Sequence, residues 1–222
     1  MSDVPESPPA PAAGDHTHVI IKAGLSAIPV LGGSAAELFA HIIVPPLTKR
    51  RDEWLQSIAE GLNALERRVG AFSVASLASN ESFVTMLMEV SQIAIRNHSK
   101  EKREALRNAV LNTALESPDE LLQSMLLNFL NAATPWHLQV LAFYRDPESY
   151  AARAGITLAL GDRLGDHVSR VFPELHGKDA FCLQIERDLL HHGLIYHEGD
   201  WYTKRTTDTG DRVLRLVSSP VD

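Results

Sequence analysis

The sequence predicts a mainly α-helical protein, in which a helical bundle is followed by a smaller module with one β-hairpin. Aromatic residues make up only 6% of the chain, and leucine and alanine supply most of the apolar side chains, which favours helices over a β-sandwich. Apolar residues recur at helical spacing through the middle of the chain. Serine, threonine, asparagine and proline stand at the positions where these helices would begin.

Charge and cysteine content restrict the classes of protein to which this chain can belong. The formal net charge of -7 opposes non-specific binding to nucleic acid or anionic membrane, unless a local basic face overrides it. Cys182 is the one cysteine, which excludes an intrachain disulfide and a cysteine-rich zinc module and suits a reducing cytoplasm. Residues 1–17 are acidic and rich in proline and alanine, so we predict a disordered tail and no secretory signal.

The predicted helical bundle covers residues 18–133 and begins with an apolar region, residues 19–47. Pro29 and the glycines that follow it break this region into two short helices. Its longest uncharged stretch would span about 21 Å as a helix, against about 30 Å of hydrocarbon, so a membrane span is not expected. We expect a hairpin buried against the bundle; the alternative is a segment that inserts into a membrane or a partner. Its main apolar side chains are Ile28, Leu38, Phe39 and Ile42.

Four further helices complete the predicted bundle. One ends near Val69, and its apolar stripe consists of Trp54, Ile58, Leu62, Leu65 and Val69. Asn80 is placed to cap the next helix, and the third ends near Leu115. Ser117-Pro118-Asp119-Glu120 predicts a capping box at the start of the fourth helix, with Ser117 as the cap. Since this helix, LLQSMLLNFLNAA, is apolar nearly all round, we predict that it is the central, buried one.

The predicted C-terminal module covers residues 134–219. Its three helices are predicted at 135–144, 160–171 and 178–192, and Cys182 lies on the apolar face of the third. Gly193 is a suitable left-handed stop for that helix. Two short extended segments then flank Glu198-Gly199-Asp200, which is a hairpin turn signal, and Thr207 is placed to cap a last helix.

The run DLLHHGLIYHEGDWYTKRTTDTGDRVL, residues 188–214, resembles the last helix, wing and closing helix of bacterial winged-helix regulators. In that family a helix that ends in a Gly-Leu pair leads into the wing, and a Thr-x-x-Gly step follows it. The resemblance covers roughly the last 90 residues and implies a winged-helix-like fold. The N-terminal half has only a general similarity to uncharacterised bacterial proteins, which implies nothing about its function.

Winged helices usually bind DNA, so the helix in the recognition position matters. Residues 178–192 contain two cations, Lys178 and Arg187, and three carboxylates, whereas groove-reading helices need cations for the phosphates. Gln184 and Arg187 are the only candidate base readers. The wing adds Lys204, Arg205 and Arg212, but acidic residues are interleaved with them. We therefore expect a protein partner to be contacted by Gln184, Arg187, Lys204 and Arg205, and DNA binding is the alternative.

No active site can be assembled from the sequence. The ten histidines lack zinc-site spacing, and the nucleophile-elbow, phosphate-loop and dinucleotide-binding glycine motifs do not occur. We therefore predict no catalytic, cofactor or metal site. The expected function is that of a non-catalytic, cytoplasmic adaptor or regulatory protein that acts through protein contacts, with homo-oligomers left open. The alternatives are a DNA-binding regulator and a membrane-acting effector that uses residues 19–47.

Overall fold

The computed structural model describes residues 44–157, 164–196 and 204–220. The chain divides into two compact units, Met1–Glu53 and Trp54–Asp222. In the first unit only the beginning of one helix is described. The predicted tail and the predicted apolar residues Ile28, Leu38, Phe39 and Ile42 lie outside the described residues, so their predicted roles stay predictions.

The described ranges are mainly helical, which confirms the predicted fold class at that level. The α-helices are α1 (Val44–Arg68), α2 (Glu81–Arg96), α3 (Lys100–Leu115), α4 (Glu120–Ala132), α5 (Pro135–Arg145), α6 (Pro147–Ala154), α7 (Leu164–Val171), α8 (Asp179–His191) and α9 (Asp208–Val217). Two 3₁₀ turns cover Val74–Ser79 and Pro173–Leu175. None of the helices in these ranges is both long and apolar enough to cross a membrane.

The predicted β-hairpin is not confirmed. Within the described ranges there is no β-strand, and one isolated antiparallel bridge joins Ile195 to Thr206. The amide of Tyr196 also donates to the carbonyl of Arg205 at 2.9 Å. The two segments that would flank the turn are therefore paired at their base, while the turn itself, residues 197–203, lies outside the described residues.

The centre of the core is α3, and the prediction that α4 is the central helix is wrong. Leu106, Val110 and Leu111 of α3 have no exposed surface, and α2 and α9 both pack against this helix. In α4, by contrast, Leu121 is 74% exposed and Met125 is 45% exposed. A helix that is apolar nearly all round does not reveal which of its faces packs against other helices. In α4 only one face is buried, and its residues are Gln123, Leu126, Phe129 and Leu130.

The helix starts follow their capping signals, with one correction. Asn80 caps α2 as predicted, because its Oδ1 accepts the amide of Phe83 at 3.0 Å. The cap of α4 is Asp119 and not Ser117, since Asp119 Oδ1 accepts the amide of Leu122 at 3.0 Å. Ser117 instead donates to the carbonyl of Thr113 at 3.2 Å, at the end of α3. The capping residue therefore lies two positions after the predicted one.

The last helix, α9, is fastened to α3 by two asparagines. Asn108 Nδ2 donates to the carbonyl of Val217 at 3.0 Å. Asn112 Nδ2 lies 2.8 Å from the carbonyls of both Leu216 and Ser218. These side chains occupy carbonyls that have no partner within the helix at its C-terminus. Residues 54–133 of the predicted bundle and the predicted C-terminal module therefore belong to one compact unit, while the division at residue 133 stays a prediction.

The junction between α8 and α9 depends on two glycines and a threonine. Gly193 ends α8 with a φ of 65°, as predicted. Thr207 caps α9, because its Oγ1 accepts the amide of Gly210 at 3.1 Å and donates to the carbonyl of Gly193 at 2.7 Å. A Cβ at Gly210 would overlap the carbonyl oxygen of Leu194 and lie 3.1 Å from its carbon. The Thr-x-x-Gly step thus has a steric role, since only glycine fits at its last position.

Asp211 connects α9 to the segment before it. Its carboxylate accepts a hydrogen bond from Thr206 Oγ1 at 2.7 Å and pairs with Lys204, and Arg145 Nε lies 4.0 Å away. Burial alone would raise the pKa of Asp211, but the bonds from Lys204 and Thr206 outweigh burial and hold it below the ordinary value of 3.8. The charged form of Asp211 should therefore stabilise the fold at pH values above 3.8.

Replacing Asp211 with asparagine should lower the free energy of unfolding by about 1–2 kcal/mol at neutral pH, because charge-assisted bonds are lost. Since the pKa is depressed in the folded state, this contribution is present above pH 3.8 and is lost as pH falls through the folded pKa. Urea unfolding from pH 7 to pH 3 should show the difference shrink with acidification. Asp208→Asn, at an exposed position of the same helix, should cost only about 0.5 kcal/mol. A pH-independent difference for Asp211→Asn would contradict the assignment.

Candidate functional site

The four predicted contact residues do not form one surface. Arg187 is exposed on α8, as a contact residue requires. Gln184 is also exposed, but its Nε2 donates to Asp188 Oδ1 at 2.7 Å. Lys204 is exposed and pairs with Asp211. Arg205 is only 1% exposed. Of these residues, Arg187 alone presents a cation to solvent with no ion pair among the described residues.

Arg205 lies in the interior, so it does not offer the surface contact that the sequence predicted. Its Nη2 donates to the carbonyl of Tyr196 at 2.6 Å, and its Nη1 lies 3.8 Å from Glu186 Oε1. The guanidinium carbon lies 5.2 Å from the ring centroid of Tyr144, and the Arg205 amide donates to the Tyr144 carbonyl at 2.8 Å. That backbone bond draws residue 205 inward, where Glu186 offsets the buried charge. Burial and Glu186 in turn raise the pKa of Tyr144 well above its ordinary value.

One set of side chains has the order hydroxyl, imidazole, carboxylate. Thr134 Oγ1 lies 2.8 Å from His137 Nδ1, and His137 Nε2 lies 3.2 Å from Asp188 Oδ2. The amide of Thr134 also donates to the same Nδ1, at 3.1 Å. That nitrogen therefore accepts a bond within the cap of α5 and is not a free base for the hydroxyl. We assign these residues to helix capping and to the contact between α5 and α8.

The described residues offer no site for a metal ion. Within residues 44–157, 164–196 and 204–220, no group of three or more histidine, cysteine or acidic residues is placed to hold one. Cys182 is buried, as the sequence predicted, and burial raises the pKa of its thiol. Burial and the neighbouring His191 lower the pKa of His192, against the opposing charge of Asp188. His197 and the histidines of the tail lie outside the described residues.

A candidate docking site is the groove between α4 and α9, hereafter the α4/α9 groove. Two cavities of about 370 and 400 Å³ adjoin along it and share the side chain of Leu126. Its most buried lining side chains are apolar, with Leu126, Phe129 and Val213 at 2% exposure or less. It is lined by Asn112, Leu115, Glu116, Pro118, Leu122, Met125, Leu126, Asn128, Phe129, His191, His192, Leu194, Thr209, Arg212, Val213, Arg215 and Leu216.

Both walls of the groove follow helical spacing. The α4 wall consists of Leu122, Met125, Leu126 and Phe129, and the α9 wall of Thr209, Arg212, Val213 and Leu216. Each set has the pattern i, i+3, i+4, i+7, which places its members on one face of a helix. Seven residues of helix correspond to about 10 Å, so the groove matches roughly two helical turns.

The two ends of the groove differ in charge. Arg212 and Arg215 line one end together with Glu116. Both arginines are exposed, and neither has an ion pair or a side-chain hydrogen bond within the described part of the chain. At the other end the ring of His192 packs edge-on against Phe129, with 5.4 Å between the centroids. One end is therefore cationic, and the other is aromatic.

Sequence reasoning missed this groove. One signal was available, because α4 is more apolar than a helix with one buried face requires. That surplus was interpreted as complete burial, whereas it leaves Leu121 and Met125 at the surface. The position of α9 beside α4 could not be inferred, because the bonds that place α9 come from Asn108 and Asn112, far away along the chain.

Comparison of the chain with protein-family models, with curated proteins and with solved structures finds no match in any of the three. The winged-helix resemblance is therefore neither supported nor contradicted by a known relative.

Proposed function

We propose that this protein is a non-catalytic adaptor or regulatory protein that acts through protein–protein contacts, with a winged-helix-like C-terminal part. The observation that carries the proposal is the α4/α9 groove, an open cleft whose most buried lining residues are apolar and whose α4 wall includes the exposed Met125. Leu121, also on α4, is exposed as well. Exposed apolar surface next to a groove is typical of protein-docking sites. The occupant is an α-helix of a partner protein.

A helix suits this groove better than an extended peptide. Both walls are helices, whose backbone groups are bonded within each helix, so the walls offer no sheet edge for an extended chain to pair with. A helical occupant satisfies its own backbone and presents only side chains. Its apolar residues at i, i+3, i+4 and i+7 would face walls that carry the same spacing.

Charge placement supports protein docking over DNA binding. Two of the four predicted contacts are cations that the fold itself uses, since Arg205 is buried beside Glu186 and Lys204 pairs with Asp211. The exposed side chains of α8 include Phe181 and Leu183 as well as Arg187. A helix that binds the major groove needs several cations to contact phosphates.

Affinity for duplex DNA is therefore expected to stay at the non-specific level, a Kd of about 10⁻⁴–10⁻⁶ M, and to disappear at moderate salt. Arg187→Ala should leave that weak affinity almost unchanged. Fluorescence anisotropy with random and genomic duplexes measures both. Sequence-selective DNA binding that is lost in Arg187→Ala would contradict protein docking as the main function and favour a DNA-binding regulator.

The docking role of the groove is tested by site-specific crosslinking in the native host. A photo-reactive residue in place of Met125 should crosslink reproducibly to one partner protein. The same residue in place of Met88, which is exposed on α2 outside the groove, serves as the matched control. Equal crosslinking from both positions, or none from Met125, would contradict a docking role for the groove.

A further inference from the structure

We infer that the partner helix is acidic at one end, where its carboxylates pair with Arg212 and Arg215, and apolar over the two turns that follow. This inference rests on the proposed docking function and adds the chemistry and the direction of the occupant. It depends on the position of the two arginines in the groove and on their lack of partners within the described residues.

The charge at this end of the groove is opposite to that of the chain. The protein has 28 acidic residues against 21 lysines and arginines. The charged side chains that line this end, in contrast, are Arg212, Arg215 and a single acid, Glu116. A locally positive edge on a negatively charged protein selects an acidic partner and repels a basic one.

The other cations around α9 already have partners, which makes these two distinctive. Lys204 and Arg145 both approach Asp211, and Arg205 lies beside Glu186. Arg215 lies in the last turn of α9, where a cation also stabilises the helix dipole. Arg212 lies one turn earlier, so it does not have that role. Its guanidinium group makes no ion pair or side-chain hydrogen bond with any described residue.

The spacing of the arginines defines the motif that they would recognise. Residues three apart on a helix lie on the same face, so Arg212 and Arg215 present two guanidinium groups in one row. Carboxylates three or four residues apart on a partner helix form a matching row, and arginine binds carboxylates in a paired, directional way. The aromatic end at Phe129 and His192 offers no such partner, so the acidic end of the occupant is fixed at the arginines.

Synthetic helical peptides test this inference on the full-length protein. The probe has about 16 residues, because shorter isolated helices are marginal in water. It carries leucines at i, i+3, i+4 and i+7 and two glutamates at one end, and matched versions replace the glutamates with glutamine or lysine. Anisotropy should rank the affinities as glutamate, glutamine, lysine, with about a tenfold or larger loss from glutamate to lysine. Salt should weaken the glutamate peptide most.

Charge reversal in the protein is the decisive variant. In Arg212→Glu/Arg215→Glu the lysine peptide should bind more tightly than the glutamate peptide, because the end of the groove is now negative. Both side chains are exposed, so the variant should fold, and its melting temperature checks this. Arg96→Glu, at an exposed position at the end of α2 outside the groove, should preserve the original order of affinities.

The other outcomes overturn the inference in distinguishable ways. If all three peptides bind equally and Met125→Asp weakens each, the groove docks helices without regard to charge, and the proposed function survives without the acidic motif. If no peptide binds and sedimentation shows a dimer that Met125→Asp dissociates, the occupant is a second copy. Displacement of the glutamate peptide by duplex DNA would assign the arginines to nucleic acid. Failure of every peptide, with no crosslink from Met125, would reject the proposed function itself.

Discussion

Gly210→Ala is expected to lower the free energy of unfolding by about 3 kcal/mol, because overpacking against rigid backbone has few ways to relax. The added Cβ would overlap the carbonyl oxygen of Leu194. That carbonyl is fixed, since it accepts the amide of Thr207 at 3.0 Å. A shift of Leu194 or of α9 would therefore disturb the bridge at Ile195 and the cap at Thr207 together.

Gly70→Ala is the matched control for this substitution. A Cβ at Gly70 would meet nothing within 4 Å, and the residue does not have a left-handed backbone. Its effect should stay within about 0.5 kcal/mol and can be stabilising, since alanine restricts the unfolded chain more than glycine. Urea unfolding of both variants gives the comparison. A loss below 1 kcal/mol for Gly210→Ala would mean that α9 does not lie as close to Leu194 as described.

Arg205→Met is expected to lower the free energy of unfolding by about 3 kcal/mol, because it removes a cation that lies beside a largely buried carboxylate. The carboxylate is that of Glu186, whose side chain is 13% exposed, against 1% for Arg205. The substitution also removes the donor to the Tyr196 carbonyl. Methionine keeps the apolar stem of the side chain, so the loss reports on charge and hydrogen bonding and not on a cavity.

Two comparisons isolate this effect. Arg187→Met makes the same change at an exposed position of α8 and should stay within about 0.5 kcal/mol. Arg205→Met combined with Glu186→Gln should cost less than the sum of the single changes, with a coupling energy of about 1–3 kcal/mol. Thermal and chemical unfolding measure both comparisons. Equally small changes in the free energy of unfolding for Arg205→Met and Arg187→Met would mean that Arg205 lies at the surface, as the sequence predicted.

Local signals in the sequence located most of the helices, because capping and stop residues act through bonds that span only a few positions. Asn80 and Thr207 cap helices as predicted, and Gly193 ends α8 with a left-handed backbone. The same reasoning placed the cap of α4 at Ser117 where Asp119 performs it. Both residue types can cap a helix. Ser117 bonds to the end of α3 instead, and Asp119 is the residue that caps α4.

Side-chain environment was predictable where it depended on periodicity and not where it depended on a distant partner. The stripe from Trp54 to Leu65 is buried as its spacing predicted, but Val69, one residue past the end of α1, is exposed. Arg205 lies in a segment rich in charged residues, a pattern typical of solvent exposure. Its burial depends on Tyr144 and Glu186, which its own sequence neighbourhood does not contain.

By itself the sequence determined the helical class, the positions of most helix ends and the burial of Cys182, because propensities, caps and apolar spacing are properties of short segments. Tertiary structure alone decided that α3 is the central helix, that Arg205 is interior, and that α4 and α9 form the walls of a groove with an exposed arginine pair at one end. These features arise from contacts between residues up to about a hundred positions apart, such as Asn108 with Val217. Chain periodicity carries no information about which faces meet across such distances, and so the candidate docking site became visible only in the folded molecule.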